Sequence, residues 1–406
     1  MRFSARTGST GCRQSRYRVR DVVPHAGIVA SIGEAAAVHA SQVGMAGGRK
    51  VQISVIRPGE LGPGEIAAWT SMQRATGSLA SPFLCPEFAI AVDRVRPGAR
   101  VAVLADGPEI AGFFPFQRRR LGVGVPIGTP VNNCQGVIHA PGVEWDARDL
   151  LRACKLSAWQ FDCLAEGQEP FGRYVSAVAS SPAVNLTDGF PAYQEKLRAN
   201  YPKFCKDLAR RRRNLQREAG ELRFVADSRD PAELRTLMAW KSEQYRRTGW
   251  IDFFDRPWIV DLVDDLFSTR TSHFGGLLSV LYAGETPVAA HFGLRHGHVL
   301  AGCYPAYNPH FGRHSPGLIL HLGRLDAIAS LGVYLVDMGK GLERYKQTLK
   351  NQDLYVAEGL VTRGPLHAAV HRARTGAVRW AGPQLRKRPL LFHAADRILR
   401  QLGRTT

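Results

Sequence analysis

The stretch YNPHFGRHSPGLILHLGRLDAIASLG, residues 307–332, contains a clear signal for the start of a helix. Ser315 is a residue type that caps helices, and Pro316 suits the first helical position because its missing N–H would be unpaired there. Leucines and alanines then recur at helical spacing until Gly332, a typical C-terminal stop. The aromatic, Gly, Arg and His residues of 307–314 predict an anion held at the positive end of this helix.

On both sides of this helix, residues 221–362 alternate between strand and helix patterns in the order β, α, α, β, β, β, α, β, α, β. The other predicted elements of this half lie at 222–225, 231–248, 257–268, 276–282, 288–294, 299–304, 333–338, 342–349 and 354–360. The segment from Val51 repeats the order with little sequence identity, which predicts a structural duplication. Its elements are predicted at 51–56, 65–76, 86–95, 100–104, 109–116, irregularly within 125–138, and at 147–154, 159–164, 171–180 (a helix) and 183–186.

The positive charge of the chain is concentrated at its ends. Residues 1–50 carry eight Lys/Arg and two Asp/Glu, and residues 362–406 carry ten and one. Of the total net charge of +19, only +4 therefore belongs to residues 51–361. Within that middle part, Lys203–Arg217 holds seven basic residues and one acid. This distribution does not support a broad nucleic-acid-binding surface.

The cysteines and the hydropathy pattern favour a cytoplasmic protein. Seven cysteines show neither a CxxC pair nor metal-ligand spacing, and an odd number suits a reduced compartment. We therefore predict no disulfides and no structural metal. No run of eighteen apolar residues predicts a membrane-spanning helix.

The two ends are predicted to lie outside the folded halves. Residues 1–48 are rich in Arg, Ser, Gly and Ala and are expected to be a disordered extension. Met45 is a candidate translation start, and an Arg-rich transit peptide is the alternative interpretation. Residues 363–406 are expected to form a basic helical tail, whose alternating apolar and Arg residues suit peripheral contact with an anionic inner membrane. The alternative is a poorly ordered basic tail.

Three phrases of the second half carry a family resemblance: PVAAHFGLRHGHVLAGCYPAYNP, SPGLILHLGRLDAIASLGV and VDMGKGLERYK. Together with the element order, they resemble the GNAT acyltransferases, and within them the CelD-type family named for bacterial cellulose biosynthesis. The chain is also similar, more distantly, to the Fem transferases that add amino acids to peptidoglycan. The resemblance covers roughly residues 50–362.

The resemblance implies an α/β (α+β) fold with two tandem GNAT-like domains, each a mixed central sheet flanked by helices. We place a degenerate first domain at 49–190, a basic helical connector at 191–220 and an acyl-donor domain at 221–362. The resemblance implies acyl-CoA, and acetyl-CoA in particular, as the co-substrate, with no metal. The first half lacks an S-P-G turn in 134–149, so we expect it to shape the acceptor cleft.

The donor-binding residues implied by the resemblance surround the start of the helix. The turn that wraps the pyrophosphate in the wider fold corresponds here to residues 313–317 and departs from the common Q/R-x-x-G-x-G/A pattern. Tyr304 and Tyr307 flank the turn and are expected to line the pantetheine channel, with Tyr307 also assigned to substrate binding; packing at a strand end is the alternative for both. The predicted donor-binding set is Tyr304, Arg313, His314, Ser315 and Gly317.

Three residues are predicted to be catalytic. Tyr345 follows the strand that contains Asp337, where many GNAT enzymes place a tyrosine that protonates the leaving thiolate; a packed helix tyrosine is the alternative. Asp337 ends an apolar strand and is expected to take a proton from the acceptor amine, or else to cap the amides of Gly339 and Gly341. His291 is a further candidate base, although a core histidine bonded to a backbone carbonyl is the favoured interpretation.

Glu343 and Lys346 are predicted to bind substrate. Glu343 would bind an acceptor ammonium group or, alternatively, complement the dipole of its helix. Lys346 would pair with a phosphate or carboxylate, and a solvated lysine is the alternative. The basic run Lys203–Arg217 is either a solvated helix face or a phosphate-binding surface.

The sequence thus predicts an N-acyltransferase that acts on a small-molecule or glycan-precursor amine, such as an amino sugar or an envelope polysaccharide precursor. One alternative is a Fem-type transferase that uses aminoacyl-tRNA, for which Arg210–Arg213 is the distinguishing feature. The other is a non-catalytic scaffold in polysaccharide export.

Overall fold

The computed structural model describes residues 51–364. The predicted extension at 1–48, Met45 and nearly all of the predicted tail at 363–406 lie outside the described residues.

The first half contains seven strands and three α-helices within the described residues. These are β1 (Gln52–Ile56), α1 (Pro63–Ala75), α2 (Pro86–Val95), β2 (Ala99–Asp106), β3 (Glu109–Arg118), β4 (Val123–Pro126), β5 (Ile138–His139), α3 (Ala147–Ala153), β6 (Ala158–Leu164) and β7 (Val175–Asn185). Two helices, α4 (Phe190–Asn200) and α5 (Pro202–Ala219), connect it to the second half.

The second half repeats this order, except that it has no counterpart of β5 and has an additional helix before its last strand. It consists of β8 (Leu222–Val225), α6 (Pro231–Thr248), α7 (Pro257–Ser268), β9 (Phe274–Ala283), β10 (Thr286–His296), β11 (Val299–Tyr307), α8 (Pro316–Ser330), β12 (Leu335–Asp337), α9 (Arg344–Leu349) and β13 (Gln352–Thr362). All ten elements predicted from the sequence of this half are present.

The predicted helix at 171–180 is wrong. A 3₁₀ turn covers Glu169–Tyr174, and the chain then extends as β7. The strand pairs with β13, from Val175 opposite Gly359 to Ala183 opposite Gln352. This partner lies nearly two hundred residues further along the chain, so local spacing alone could not identify the strand.

All the strands belong to one mixed sheet with the order β1-β2-β3-β4-β6-β13-β7-β12-β11-β10-β9-β8, and β5 pairs with β3. The predicted α/β class, with a mixed sheet flanked by helices, is confirmed. Two strand pairs, β4/β6 in the first half and β11/β12 in the second, are parallel and occupy equivalent places. The other strand pairs of the described residues are antiparallel. The last strand of each half lies beside the other half: β13 is next to β6, and β7 is next to β12. The two halves therefore exchange their final strands.

Helices from both halves share one core on one face of the sheet. A single apolar cluster joins Trp69 of α1 and Phe88 of α2 to Leu237 of α6 and Leu262 of α7. At its edge, the Arg94 guanidinium lies 3.1 Å from the Asp265 carboxylate, which joins α2 to α7. Separate apolar clusters pack α4, α5 and α8 against the second half of the sheet.

Within residues 51–364, no helix combines the length and apolarity needed to cross a membrane.

Candidate active site

Strands β11 and β12 separate at the centre of the second half. They pair in parallel from Val299 with Leu335 to Ala301 with Asp337, where β12 ends, while β11 continues to Tyr307. The register between β10 and β11 also shifts at this point, which leaves Cys303 as a bulge. Beyond Ala301, within the described residues, no strand pairs with the β12 side of β11. We call this gap the β11/β12 opening; a gap at the carboxyl end of a parallel strand is a common place for a ligand.

Asp337 lies at the closed end of this opening and is buried. Its Oδ1 accepts hydrogen bonds from the Ser181 hydroxyl at 2.6 Å and from the Gly339 N–H at 2.8 Å. Burial raises the pKa of the Asp337 carboxyl, although these two hydrogen bonds and the Lys346 charge act in the opposite direction. Of the predicted capping of the Gly339 and Gly341 amides, the bond from Gly339 is observed, and it fixes a carboxylate at the candidate site.

Tyr345 is half-buried on α9. Burial, followed by the charge of Glu343, raises the pKa of its phenol to about 12, and the charge of Arg324 acts in the opposite direction. The phenol is thus protonated at neutral pH, as a proton donor must be.

His291 contacts an arginine. Its Nδ1 and Nε2 lie 2.6 and 3.0 Å from Nη1 of Arg324, a side chain of α8. Burial and the Arg324 charge hold the pKa of His291 well below its usual value. Since such an imidazole has little tendency to accept a proton, this environment disfavours His291 as a base.

Lys346 is buried and orders the loop between β12 and α9. Its Nζ donates to the carbonyls of Gly339 at 3.1 Å and Lys340 at 3.3 Å, and it lies 3.2 Å from the Glu343 carboxylate. The predicted substrate-binding residues Glu343 and Lys346 therefore contact each other beside the opening.

Lys241 of α6 is a site residue that the sequence analysis missed. Its buried Nζ donates to the carbonyl of Pro305 in β11, at 3.2 Å. Burial and the Lys346 charge lower the pKa of Lys241 to about 8. A signal was available, because Lys241 follows Leu234 and Leu237 on the buried face of an amphipathic helix, where a lysine is unusual.

The N-terminus of α8 differs in detail from the prediction. Ser315 adopts left-handed dihedral angles (φ 54°, ψ 52°), and its side chain does not cap the helix. The prediction of a side-chain cap is therefore wrong, because the left-handed backbone replaces the extended conformation of a capping serine. Its Oγ instead accepts a hydrogen bond from Arg211 of α5. Gly317 lies in the first turn, where N–H groups have no intrahelical acceptor.

Arg313 and His314 both contact Glu218 of α5. The Arg313 Nη2 and the His314 Nε2 lie 2.5 and 2.8 Å from its two carboxylate oxygens. These two hydrogen bonds lower the pKa of Glu218. Helix α5 is therefore tied to the turn before α8 at two places, Arg211 and Glu218. The sequence analysis treated the basic run separately from this turn.

The two tyrosines that flank the turn lie in different environments. Tyr304 is buried in the core shared by the two halves, and its ring centroid lies 4.9 Å from that of Phe254. Tyr307 lies beside the start of α8, where its ring is 3.8 Å from the position that a Cβ on Gly317 would occupy. Tyr307 thus borders the predicted pyrophosphate position, whereas Tyr304 packs in the core.

The equivalent opening of the first half, between β4 and β6, is filled by the chain itself. Gln135 forms a parallel bridge with Leu164 of β6. Its Oε1 accepts from the N–H groups of Asp162 at 3.0 Å and Cys163 at 3.1 Å, and its Nε2 donates to Asp162. Helix α3 has only seven residues and is capped by its own Asp146. Of the two equivalent openings, only β11/β12 is free of such a plug in the described part of the chain.

A metal site is absent from the described residues: no three His, Cys, Asp or Glu side chains in 51–364 lie together in a metal-binding arrangement. The six cysteines between Cys85 and Cys303 are free thiols.

A known protein family matches the part of the chain that contains this site. Residues 202–347, from the start of α5 into α9, match a family model described as an acetyltransferase (GNAT) domain. The prediction of an acyltransferase is confirmed at this level. No curated protein matches the sequence.

Several solved structures resemble the chain at low identity. A tandem GNAT protein from the clavulanic acid biosynthesis pathway is 12% identical, with 78% of this chain and 99% of that chain covered and a TM-score of 0.43. FemX is 10% identical, with coverages of 70% and 93% and a TM-score of 0.46. L-PGS from Bacillus licheniformis is 11% identical, with coverages of 74% and 92% and a TM-score of 0.39.

Proposed function

We propose that the protein is an N-acyltransferase that moves an acyl group, acetyl in the simplest case, from acyl-CoA to an amine. The β11/β12 opening is the observation that carries this proposal, because it combines unpaired backbone on β11 with a buried carboxylate. Tyr345, a protonated phenol, lies on α9, the helix that follows β12. The acetyltransferase match covers the same half of the chain. The filled β4/β6 opening supports a single donor site in the second half.

In this proposal the donor's phosphates lie against the first turn of α8. The N–H of Gly317 and the guanidinium of Arg211 would bind them, because an anion is stabilised at a helix N-terminus. Arg313 and His314 position Glu218 and α5 beside this turn, and Tyr307 borders it.

The chemistry assigned to the opening is a direct transfer. The amine nitrogen forms a bond to the thioester carbon, β11 amides near the Cys303 bulge stabilise the oxyanion, and the carbon–sulfur bond then breaks. Asp337 accepts the amine proton. Its pKa is raised toward neutral pH, which makes the carboxylate a stronger base than an ordinary one. Tyr345 donates a proton to the leaving sulfur. Lys241 and the Glu343–Lys346 pair border the site.

The CelD-type resemblance suggests the acceptor class: an amino sugar or another amine precursor of an envelope polysaccharide. With such an acceptor the enzyme would be cytoplasmic. The proposed membrane contact of the basic tail involves residues outside the described range.

Calorimetry with CoA and two matched arginine variants tests the donor site. We expect Arg211→Gln to weaken CoA binding about tenfold, which is about 1.4 kcal/mol and typical of a lost charge-assisted hydrogen bond. Arg213→Gln removes an equal charge from the same helix and should leave the affinity nearly unchanged. If wild-type protein binds neither CoA nor acetyl-CoA, the proposal is wrong and the scaffold alternative gains support.

A second candidate function, transfer from aminoacyl-tRNA, is favoured by one feature of α5. The helix presents an exposed basic row on the side away from its buried Leu208 and Leu215. The row consists of Lys203, Lys206, Arg210, Arg213 and Arg217. Its residues recur every three or four positions, so they form one stripe that could follow a phosphate backbone.

Replacing Arg210, Arg213 and Arg217 with glutamine, while keeping Arg211, separates the two functions. An acyl-CoA enzyme should keep its CoA affinity and activity. A tRNA-dependent enzyme should lose activity and salt-sensitive tRNA binding.

A further inference from the structure

Helix α8 carries a buried arginine beneath the β11/β12 opening. Arg324 is 1% exposed, and although burial lowers the pKa of its guanidinium to about 10, it remains charged at neutral pH. Two imidazoles contact it: His291 on Nη1, and His321 with its Nδ1 3.2 Å from Nη2. Burial lowers the pKa of His321 to about 3 and that of His291 well below its usual value, so both rings are neutral.

This positive charge has no carboxylate partner in the described part of the chain, where none of the ion pairs includes Arg324. Two buried nitrogens of the cluster, Nε of Arg324 and Nε2 of His321, also have no hydrogen-bond partner. Buried charges in proteins are normally paired, and buried polar atoms are normally hydrogen-bonded. The cluster therefore has an unpaired positive charge and two free nitrogen atoms with which it could bind a negatively charged group.

The cluster adjoins the closed end of the opening. Nε2 of His291 lies 3.1 Å from the position that a Cβ on Gly302 would occupy, and Gly302 directly follows the last β11/β12 pair at Ala301. Tyr345 and Cys303 also lie near the Arg324 guanidinium, in the same region. The His291 ring thus lies between the Arg324 guanidinium and Gly302, the first residue of β11 that has no partner in β12. Because residue 302 has no side chain, nothing from it covers the His291 ring.

We propose that the Arg324–His291–His321 cluster binds a carboxylate of a substrate. This inference rests on the proposed acyl transfer. It narrows the substrates to those in which either the acyl group or the amine acceptor carries a carboxylate in addition to its reacting group. The free Nε lies on the same guanidinium edge as Nη2, and such an edge matches the two oxygens of a carboxylate. The carboxylate could be at the far end of a dicarboxylic acyl group or on an amino-acid acceptor, and both sources present the same chemistry.

Matched pairs of small probes distinguish the two sources. Succinyl-CoA against butyryl-CoA tests the acyl group, and β-alanine against propylamine tests the acceptor, because each pair differs mainly in one carboxylate. We expect the wild-type kcat/KM to favour the carboxylate member of one pair at least tenfold. In Arg324→Met this preference should disappear. Arg324→Lys, which keeps the charge but not the planar fork, should retain a smaller preference.

Two further measurements keep the inference testable if the Arg324 variants do not fold. Gly302→Val places a side chain against His291 without changing a charge, and it should also remove the preference. Succinate should raise the Tm of wild-type protein, whereas neutral succinamide should not.

The results separate this inference from the proposed function. Turnover of acyl-CoA without a preference in either pair, or a preference that persists in folded Arg324→Met and Gly302→Val, overturns the carboxylate site and leaves the acyltransferase intact. Absence of turnover with every acyl-CoA overturns the proposed function. In that case a Tm increase with succinate, lost in Arg324→Met, still supports the carboxylate site, and no increase overturns it.

Discussion

At the scale of single residues, the proposed function gives Asp337 two tasks with one side chain. Its Oδ1 holds Ser181 and the loop N–H of Gly339, and the carboxylate remains beside the opening. The sequence analysis set these tasks against each other as alternatives. The two roles are compatible, because the hydrogen bonds that Asp337 accepts from Ser181 and the loop also hold its carboxylate in the position that a base would need.

Asp337→Asn separates these tasks. Asparagine keeps an Oδ1 acceptor but cannot take the amine proton, so we expect kcat to fall at least a hundredfold with CoA affinity unchanged. Because burial raises the folded-state pKa of Asp337, its ionised form lowers stability once the pH exceeds that value. The variant should therefore unfold at the same or a higher urea concentration at pH 7.

The pH profile gives the control for this prediction. Wild-type activity should rise with pH through a value above the usual carboxyl pKa, since only deprotonated Asp337 accepts a proton. A folded asparagine variant with wild-type kcat would exclude Asp337 as the base.

Tyr345→Phe removes only the phenolic hydroxyl. We expect kcat to fall about tenfold to a hundredfold, with little change in the affinity for acetyl-CoA. A donor with a better leaving group, such as an aryl thioester, should recover much of the rate, because its departure needs no proton. Equal losses with both donors would argue for a packing role of Tyr345.

At the scale of secondary-structure elements, the sequence predicted most of the chain. Pro86–Val95, Pro231–Thr248 and Pro257–Ser268 each begin with proline and have one apolar face, and all three helices match their predicted bounds. The site was less predictable. Arg211 reaches Ser315 across 104 positions of sequence, and Arg324 appears in the sequence as an ordinary polar residue of a helix. Such contacts depend on packing between distant elements, which local spacing does not encode.

The segment that fills the β4/β6 opening gives a prediction at this scale. Gln135→Ala would leave the buried N–H of Cys163 without an acceptor, so we expect the free energy of unfolding to fall by about 2–3 kcal/mol. Urea denaturation measures this loss, and exposed Gln160→Ala on the same strand is the control. Calorimetry should still give one CoA per chain; a second CoA bound by wild-type protein would contradict a closed first half.

At the scale of the whole molecule, the exchange of β7 and β13 joins the two halves into one folding unit. Val361 of β13 packs in the core of the first half, and Val184 of β7 packs in the core of the second. The sequence indicated the duplication but not the exchange, because the predicted strands at 183–186 and 354–360 each read as the end of their own half.

Neither half should fold alone. A fragment 51–186 lacks β13, and a fragment 187–364 lacks β7, so each exposes part of its core. We expect both fragments to lack a cooperative thermal transition by circular dichroism, and co-expression of the two to restore it. Cooperative unfolding of either fragment by itself would show that the exchanged strand is dispensable.

A crystal structure of the protein with CoA tests the central claim most directly. The account predicts the pyrophosphate at the first turn of α8, within hydrogen-bond distance of Arg211 and the Gly317 N–H, and the pantetheine arm in the β11/β12 opening with its sulfur near Tyr345. CoA bound in the first half, or along the outer basic row of α5 with the opening empty, would contradict it.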